Sequence, residues 1–272
     1  MSGKLYVVGT PIGNLEDITL RAARILGEVQ LVAAEDTRRS LQLLNHLGCP
    51  KPLVAYHEHN RREAGADLLR QLQDGRVIAL VTDAGMPCVS DPGWELVNDA
   101  MTAGIEVEVI PGPSALATAV AASGMDAARV VFNGFPPRKG QERADALDAA
   151  AREQGMVVFY EAPHRLRRLL EDCGDRMAAR PCALCKDLTK MFQQVFRGTP
   201  RELLDALPEE PKGEYVLILG PWEPPREEQD PRQVLRELLD AGMDKKAAVA
   251  EAARMLGVPK KEIYKLTLEE TK

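Results

Sequence analysis

Residues 4–26 read KLYVVGTPIGNLEDITLRAARIL, and the parsing of this stretch decides the architecture. Leu5 to Val8 is an apolar run of the length of a buried strand, and Gly9 to Asn14 is a turn bearing two glycines and a proline. After Asp17, a residue suited to an N-cap, Ile18, Ala22, Ile25 and Leu26 recur at helical spacing. Strand, glycine turn and helix in that order place a ligand loop at the carboxyl end of a strand. The loop carries neither phosphate fingerprint: there is no G-x-G-x-x-G, and no Lys-Ser/Thr pair follows its second glycine. Pro11 also removes a backbone N–H that an anion would use. The geometry indicates a ligand site, and the chemistry argues against ATP.

The same cadence continues outward from this stretch. Further strands are expected at Leu31–Ala34, Leu53–His57, Val77–Val81 and Val107–Ile110, separated by helices around Arg21–Leu26, Ser40–Leu47, Glu63–Leu72 and Glu95–Ala103. Gly48, Gly75 and Gly104 stand where C′ residues belong. Such alternation predicts an α/β fold with a parallel, doubly wound sheet. The stretch FNGFPPRKGQER, Phe132 to Arg143, reads as a connection into a second domain, with a boundary near Met125. Beyond it come a helix near Asp145–Glu153, the strand MVVFYEA, the helix HRLRRLLEDC, and strands near Cys182–Lys186, Gln193–Arg197 and Tyr215–Leu219. Two consecutive strands with no helix between them predict a mixed sheet. The proline- and charge-rich PWEPPREEQDPR reads as a linker that holds no regular element. After it, an alanine-rich helix, a Gly-Val-Pro turn and a second helix have the cadence of a helix-turn-helix, or equally of a plain helical hairpin. The expected division is therefore 1–124, 125–222 and 223–272.

The 272 residues suffice for about two domains with sizeable cores. No long apolar stretch follows the N-terminus, so neither a signal peptide nor a membrane span is expected. Five cysteines at irregular positions suit a reducing, cytoplasmic setting. A formal charge of −6 gives no global pull toward nucleic acid, yet from Pro231 onward nine Lys/Arg stand against seven Asp/Glu, leaving 26 against 34 elsewhere. RNA or DNA binding must come from local patches.

The loops after the strands carry the chemistry. TDAGMPCVSDPG, after the strand at Val77–Val81, holds two prolines, two glycines, and Asp83 and Asp91 as acceptors, more than a simple turn requires. PGPSA starts a helix with Ser114 as cap or ligand donor. EDTRRS gathers Glu35, Asp36, Arg38 and Arg39 at a strand end. Asp36 or Thr37 could serve there as a helix cap with solvated arginines, or the group could act on a ligand. Cys182 and Cys185 lack a second pair at zinc-ligand spacing, and three apart in a strand they face opposite sides, so no metal site is expected. His57 and His59 could share a strand face without forming a metal or catalytic cluster. YEAPHRLRRLL, with Arg165, Arg167 and Arg168, joins Arg138, Lys139, Arg38 and Arg39 as a candidate positive rim for a phosphate backbone.

Taken in order, VGTPIGNLEDIT, AAEDTRRS, VTDAGMPCVSDPG, PGPSALATA, GFPPRKG, FYEAPHRL, DLTK and KGEYVLIL resemble the ribosomal RNA small-subunit methyltransferase I family of the tetrapyrrole-methylase superfamily. The resemblance runs from about Lys4 to Leu219, and the helical tail resembles that family's C-terminal extension. It implies a homodimeric enzyme that uses S-adenosyl-L-methionine to methylate the ribose 2′-hydroxyl of a cytidine in the decoding centre of 16S rRNA. Two α/β domains would hold the cofactor in their cleft. Cofactor contacts carry over to Pro11, to Asp83, Ala84, Gly85 and Met86, to Ser114 and Ala115, and to Tyr160, Glu161 and Ala162. Met86 stands where many relatives have threonine, and Lys186-Asp187-Leu188-Thr189-Lys190 where they have Arg-Glu-Leu-Thr-Lys. A donor without phosphates suits a proline-bearing loop without a P-loop lysine. Glu35, Asp36, Asp187 and Lys190 are the candidates to handle the hydroxyl proton. Arg38, Arg39, Arg138, Lys139, His164, Arg165, Arg168, Lys260 and Lys261 are the cations expected to meet RNA or the small ribosomal subunit. Two rival readings remain at this point: a small-molecule tetrapyrrole methylase of the same fold, and a non-catalytic RNA-binding assembly protein.

Overall fold

The computed structural model describes residues 3–222 and 230–269. The chain divides into two compact units, Met1–Trp222 and Glu223–Lys272. Most of the expected linker lies outside the described residues.

The first unit opens with β1 (Lys4–Val8), α1 (Leu20–Glu28), β2 (Leu31–Ala34), α2 (Thr37–His46), β3 (Leu53–Ala55), α3 (Arg61–Gln73), β4 (Val77–Val81), α4 (Trp94–Thr102) and β5 (Glu106–Ile110). These strands form one parallel sheet in the order β3-β2-β4-β1-β5. Successive crossovers run first toward the β3 edge and then back toward β5, so right-handed connections put α1 and α2 on one face and α3 and α4 on the other. The packing agrees: Ala22, Ile25, Leu26, Leu43 and Leu44 pack with Val8, Val32 and Val81, while Leu68, Leu72, Leu96 and Ala100 pack with Leu5, Ile78 and Leu80. The chain leaves the adjacent strands β1 and β4 toward opposite faces. Their carboxyl ends therefore flank the crevice where doubly wound sheets bind ligands.

A second five-stranded sheet follows, in the order β6-β7-β10-β8-β9. It is built from β6 (Val130–Phe132), β7 (Met156–Glu161), β8 (Cys182–Lys186), β9 (Gln194–Gly198) and β10 (Tyr215–Leu219). β6 and β7 are parallel and the other pairs antiparallel, which is the mixed sheet expected. One face is covered by α6 (Gly140–Arg152), α7 (Pro163–Met177) and α8 (Pro200–Ala206). The other face packs on α5 (Ala115–Ser123) and takes in Ile12 from the first loop. Cys182 joins the first of these cores and Cys185 the second, on opposite sides of β8.

Three expectations for the first unit are corrected. Thr19, not Asp17, caps α1, accepting from the Ala22 N–H at 3.0 Å, because Leu15–Asp17 closes a tight turn capped by Asn14. β3 ends at Ala55, where Asn60 takes over the backbone through the His57 N–H and the Ala55 carbonyl. His57 and His59 thus lie in the following loop rather than on a strand face. The Pro/Gly-rich stretch from Phe132 does not lead into the second sheet from outside: it follows β6, already an edge strand of that sheet.

In the C-terminal unit, α9 (Pro231–Asp240), α10 (Lys245–Leu256) and α11 (Lys260–Glu269) enclose a small core of Val234, Leu235, Ala248, Val249, Ala252, Ala253 and Ile263. The turn after α10 is made by Gly257 in the left-handed region (φ 65). α9 begins inside the stretch read as lacking regular structure, because Asp230 caps it and Pro231 occupies its first turn.

Arg180 is fully buried and donates to the carbonyls of Gly220, Ala150 and Gly155 at 2.8, 2.6 and 2.7 Å, joining the ends of α6, β7 and β10. Arg180→Met removes these three hydrogen bonds, with the Ala150 carbonyl keeping a longer one from the Glu153 N–H at 3.3 Å, and is expected to lower the unfolding free energy by about 3 kcal/mol. Urea denaturation measures this, and a change below about 1 kcal/mol would contradict it.

Candidate active site

Three loops meet at the carboxyl ends of β1, β4 and β5. Thr10 and Gly85 exchange backbone hydrogen bonds at 2.9 and 3.0 Å, bridging the crevice between β1 and β4, and the Thr10 hydroxyl donates to the Thr82 carbonyl at 3.1 Å. Gly85 makes its turn with φ at +86, in the region that favours glycine. A Cβ on Gly112 would stand 2.9 Å from the backbone of Gly9, and one on Gly9 would stand 2.8 Å from Gly112 Cα. Backbone therefore lies on backbone where the β1 loop meets PGPSA. Ser114 caps α5, accepting from the Ala117 N–H at 3.4 Å.

These loops form one wall of a cavity of about 430 Å³, within the range of small-molecule sites. Glu35, Asp83–Met86, Asp91, Ser114 and Ala115 come from the first sheet. Phe135, Tyr160–Pro163, Leu188 and Gly213–Val216 come from the second. Among the described residues, five acidic residues line it, Glu35, Asp83, Asp91, Glu161 and Glu214, against one arginine, Arg39; the Glu161 side chain is fully buried behind the wall. An adjoining cavity of about 380 Å³ is lined by Thr10–Gly13, Ser40, Gln42 and Lys190, and it shares Arg39, Asp83 and Glu214 with the first.

The acids are not equivalent. Burial raises Glu35, whose Oε2 accepts from the Asp83 N–H at 3.4 Å. Asp83 Oδ1 accepts from the Asp36 N–H at 2.9 Å, and its Oδ2 lies 3.5 Å from Arg39 Nε. Burial pushes Asp91 up to about 7, with Glu35 and Asp83 adding like charge. Glu161 is raised by burial as well. Its Oε1 takes the Ala162 N–H at 2.9 Å and lies 3.2 Å from Arg165 Nε, while its Oε2 is buried without a hydrogen bond.

The structure separates the residues expected to handle the proton. Glu35 lines the larger cavity. Asp36 lines neither: it caps α2, and the guanidinium of Arg38 on its carboxylate holds it down at about 2. Asp187 lines neither cavity. Its Oδ1 receives Lys190 Nζ at 3.0 Å and the Glu214 N–H at 3.2 Å, and Gly213 leaves the space that its carboxylate fills. Lys190 lines the smaller cavity between Asp187 and Glu214, both at 3.0 Å; burial opposes its charge, and the two carboxylates raise its pKa nonetheless.

Of the expected cofactor contacts, Asp83, Ala84, Gly85, Met86, Ser114, Ala115, Tyr160, Glu161 and Ala162 all line the larger cavity, and Pro11 lines the smaller. Among the expected cations, Arg38, Arg39, Arg138, Lys139, His164 and Arg168 are exposed on the first unit, and Lys260 and Lys261 on the C-terminal unit. Arg165 is not presented to solvent in the same way: it donates to the carbonyls of Pro136 and Pro137. Sequence reasoning did not single out Phe135 or Glu214, and it named Asp91 only as an acceptor.

The family model of Tetrapyrrole (Corrin/Porphyrin) Methylases matches residues 4–204, and that of the RsmI C-terminal HTH domain matches residues 226–271. Proteins named ribosomal RNA small subunit methyltransferase I are similar to this chain over most of its length. That of Halalkalibacterium halodurans is 42% identical, covering 98% of this chain and 96% of its own. That of Escherichia coli O157:H7 is 43% identical over 98% and 96%. That of Thermotoga maritima is 44% identical over 219 residues, 80% of this chain and 98% of its own. Among solved structures, a diphthine synthase superposes with a TM-score of 0.65 at 15% identity, covering 80% of this chain and 89% of its own. A cobalt precorrin-4 methyltransferase gives 0.61 at 18%, over 80% and 94%. At those identities the structures speak for the fold. With both family models placed and relatives above 40% identity across nearly the whole length, the chain belongs to the ribosomal RNA small subunit methyltransferase I family of the tetrapyrrole methylases.

Proposed function

We propose that this methyltransferase moves the methyl group of S-adenosylmethionine to the ribose 2′-hydroxyl of a cytidine in the decoding centre of 16S rRNA, acting as a homodimer. Its division would be residues 1–124 and 125–222 about the cleft, with 223–272 as the extension. The observation that carries this reading is the acid-lined cavity at the β1/β4 crevice. The acidic lining, with one guanidinium beside it, disfavours a polyphosphate and favours a cationic ligand. The unpartnered Glu161 Oε2 offers an acceptor to a hydroxyl or amine, and the start of α5 suits a carboxylate. The residues present therefore fit this donor.

S-adenosylmethionine supplies, when bound, an electrophilic methyl group on a cationic sulfur. The chain has to align an acceptor oxygen with that methyl and exclude water, which is the larger part of such catalysis. Asp83–Met86, Ser114, Ala115 and Tyr160–Ala162 form the donor wall, and Pro11 borders it from the adjoining cavity. Asp91 accepts the hydroxyl proton, because a carboxylate with a pKa about 7 is matched to that task at neutral pH; Glu35 is the second candidate. Lys190, held by Asp187, faces the smaller cavity and meets the acceptor, while Asp36 fixes Arg38 at the start of α2. Arg38, Arg39, Arg138, Lys139, His164 and Arg168 would contact phosphates on the first unit, and Lys260 and Lys261 on the extension.

The family model's own description keeps one alternative in view, a tetrapyrrole acceptor. Label from methyl-radiolabelled donor is expected in 16S rRNA when small subunits, naked 16S rRNA and tetrapyrrole precursors are offered side by side. Label on the tetrapyrrole alone would overturn the reading. Absence of S-adenosylmethionine binding in isothermal titration would leave a non-catalytic RNA-binding protein.

Asp91→Asn is expected to lower kcat about 100-fold or more, with the donor Kd changed by less than about threefold. The base must be ionised to act, so the wild-type rate rises with pH and levels off above about 7. The variant lacks that limb. A wild-type profile flat between pH 6 and 8 would remove Asp91 from this role.

A further inference from the structure

Phe135 presents a large apolar surface to solvent at the mouth of the acid-lined cavity, 55% exposed, although the chain around it is held with unusual care. Its backbone follows Gly134, which has φ at +57; a Cβ there would meet Ser90 Oγ at 2.9 Å. The Gly134 carbonyl accepts from the Tyr160 N–H at 2.9 Å. Pro136 and Pro137 then restrict the backbone, and both of their carbonyls are held by arginines. Arg165 donates to Pro136 at 2.6 Å and more weakly to Pro137, and Arg143 donates to Pro137 at 3.1 Å. Those guanidinium groups are fixed in turn: Arg143, 4% exposed, by Asp172 at 2.8 Å, and Arg165 by Glu161 at 3.2 Å.

Core packing does not account for this arrangement, since the side chain held so firmly is the exposed one. The Phe135 ring meets Tyr160 edge-on, with centroids 5.7 Å apart, and Tyr160 meets Phe132 in the same way at 4.9 Å. Edge contacts on one side leave ring surface open at the cavity mouth. Arg138 and Lys139 follow the two prolines along the chain and are exposed. An open aromatic surface on a rigid loop, flanked by cations, is the arrangement by which proteins hold an unstacked base together with its phosphates.

Resting on the functional reading above, we propose that Phe135 is the stacking platform for a base of the RNA acceptor, at or next to the methylated nucleotide, and that Arg143 and Arg165 are positioning residues that fix its loop. The adenine of the donor also has a flat π-face. Two features favour the RNA base: the exposed position at the rim, and the cations of Arg138 and Lys139, which suit phosphates that the donor does not have.

Steady-state kinetics with small subunits or naked 16S rRNA, together with calorimetric binding of S-adenosylmethionine, test this on the full chain. Phe135→Ala is expected to raise KM for the RNA about 5- to 100-fold, the range found for loss of a stacked base. The donor Kd, which also reports correct folding, stays within about twofold. Phe135→Leu keeps apolar bulk without a π-face and should behave like Phe135→Ala, whereas Phe135→Trp should recover most of the lost KM. An unchanged RNA KM in Phe135→Ala would overturn the assignment, as would full recovery by leucine. A rise confined to the donor Kd would assign the ring to adenine instead. Absence of transfer to RNA by the unsubstituted protein would overturn the functional reading itself, a result distinct from intact transfer that ignores position 135.

Discussion

The backbone of Gly9 lies against the backbone of Gly112 with no room for a Cβ on either residue, and the form of the cleft follows from that contact. It brings PGPSA against the first loop, while the Thr10–Gly85 bridge draws in the loop after β4. Three segments distant in sequence thereby become one wall. The same loop then sends Ile12 into the core between α5 and the second sheet, among Val158, Ala183, Val216 and Ile218. One short turn thus sets both the ligand wall and the seating of the second sheet. A residue with a side chain at position 9 or 112 would have to displace backbone, which in a close-packed interior moves neighbours as well.

Charge is sorted by depth. The cavity concentrates acidic residues; burial raises Asp91, and the like charges of Glu35 and Asp83 add to it. Arg39 is exposed and lines the cavity, whereas Arg38, Arg138, Lys139, His164 and Arg168, exposed on the same unit, do not. Not every arginine belongs to that outer set. Arg143, Arg165 and Arg180 donate to backbone carbonyls inside the second lobe, where planar, permanently charged groups with several donors can satisfy acceptors from different segments. A net charge of −6 is compatible with nucleic-acid binding for this reason, since attraction depends on where the exposed cations stand.

The sheet order could not be read from the sequence, but its ingredients could. Val77–Val81 and Leu31–Ala34 are apolar throughout because they are buried on both faces, and Gly48, Gly75 and Gly104 adopt the positive φ their positions suggested. Local patterning failed where two residues competed for one role, as at Asp17 and Thr19. It failed also where a tertiary neighbour took a side chain over. Asp187 has φ at +49, and its carboxylate is claimed by the Glu214 N–H, 27 positions away, so its part in a turn is invisible in DLTK. Asp91 reads as a loop acceptor because the burial that raises it is tertiary, with Glu35 adding like charge from the end of β2. Arg165 reads as one more surface cation until the fold brings Pro136 and Pro137 to it.

The two units have separate cores. Both sheets and both cavities lie within Met1–Trp222. The relative from Thermotoga maritima is matched over 98% of its own length by 80% of this chain, a span of 219 residues close to that first unit. The last fifty residues have their own core, closed by Ile263 against Val234, Leu235 and the alanines of α10, and their own charge balance, nine cations to seven acids from Pro231 onward. The positive balance belongs to the helices from Pro231 onward; with residues 223–230 included, the last fifty residues hold ten Lys/Arg against eleven Asp/Glu. Under the proposed reading, the loops at the carboxyl ends of β1, β4 and β5 and the facing sheet would align the reacting atoms, and all of them belong to the first unit.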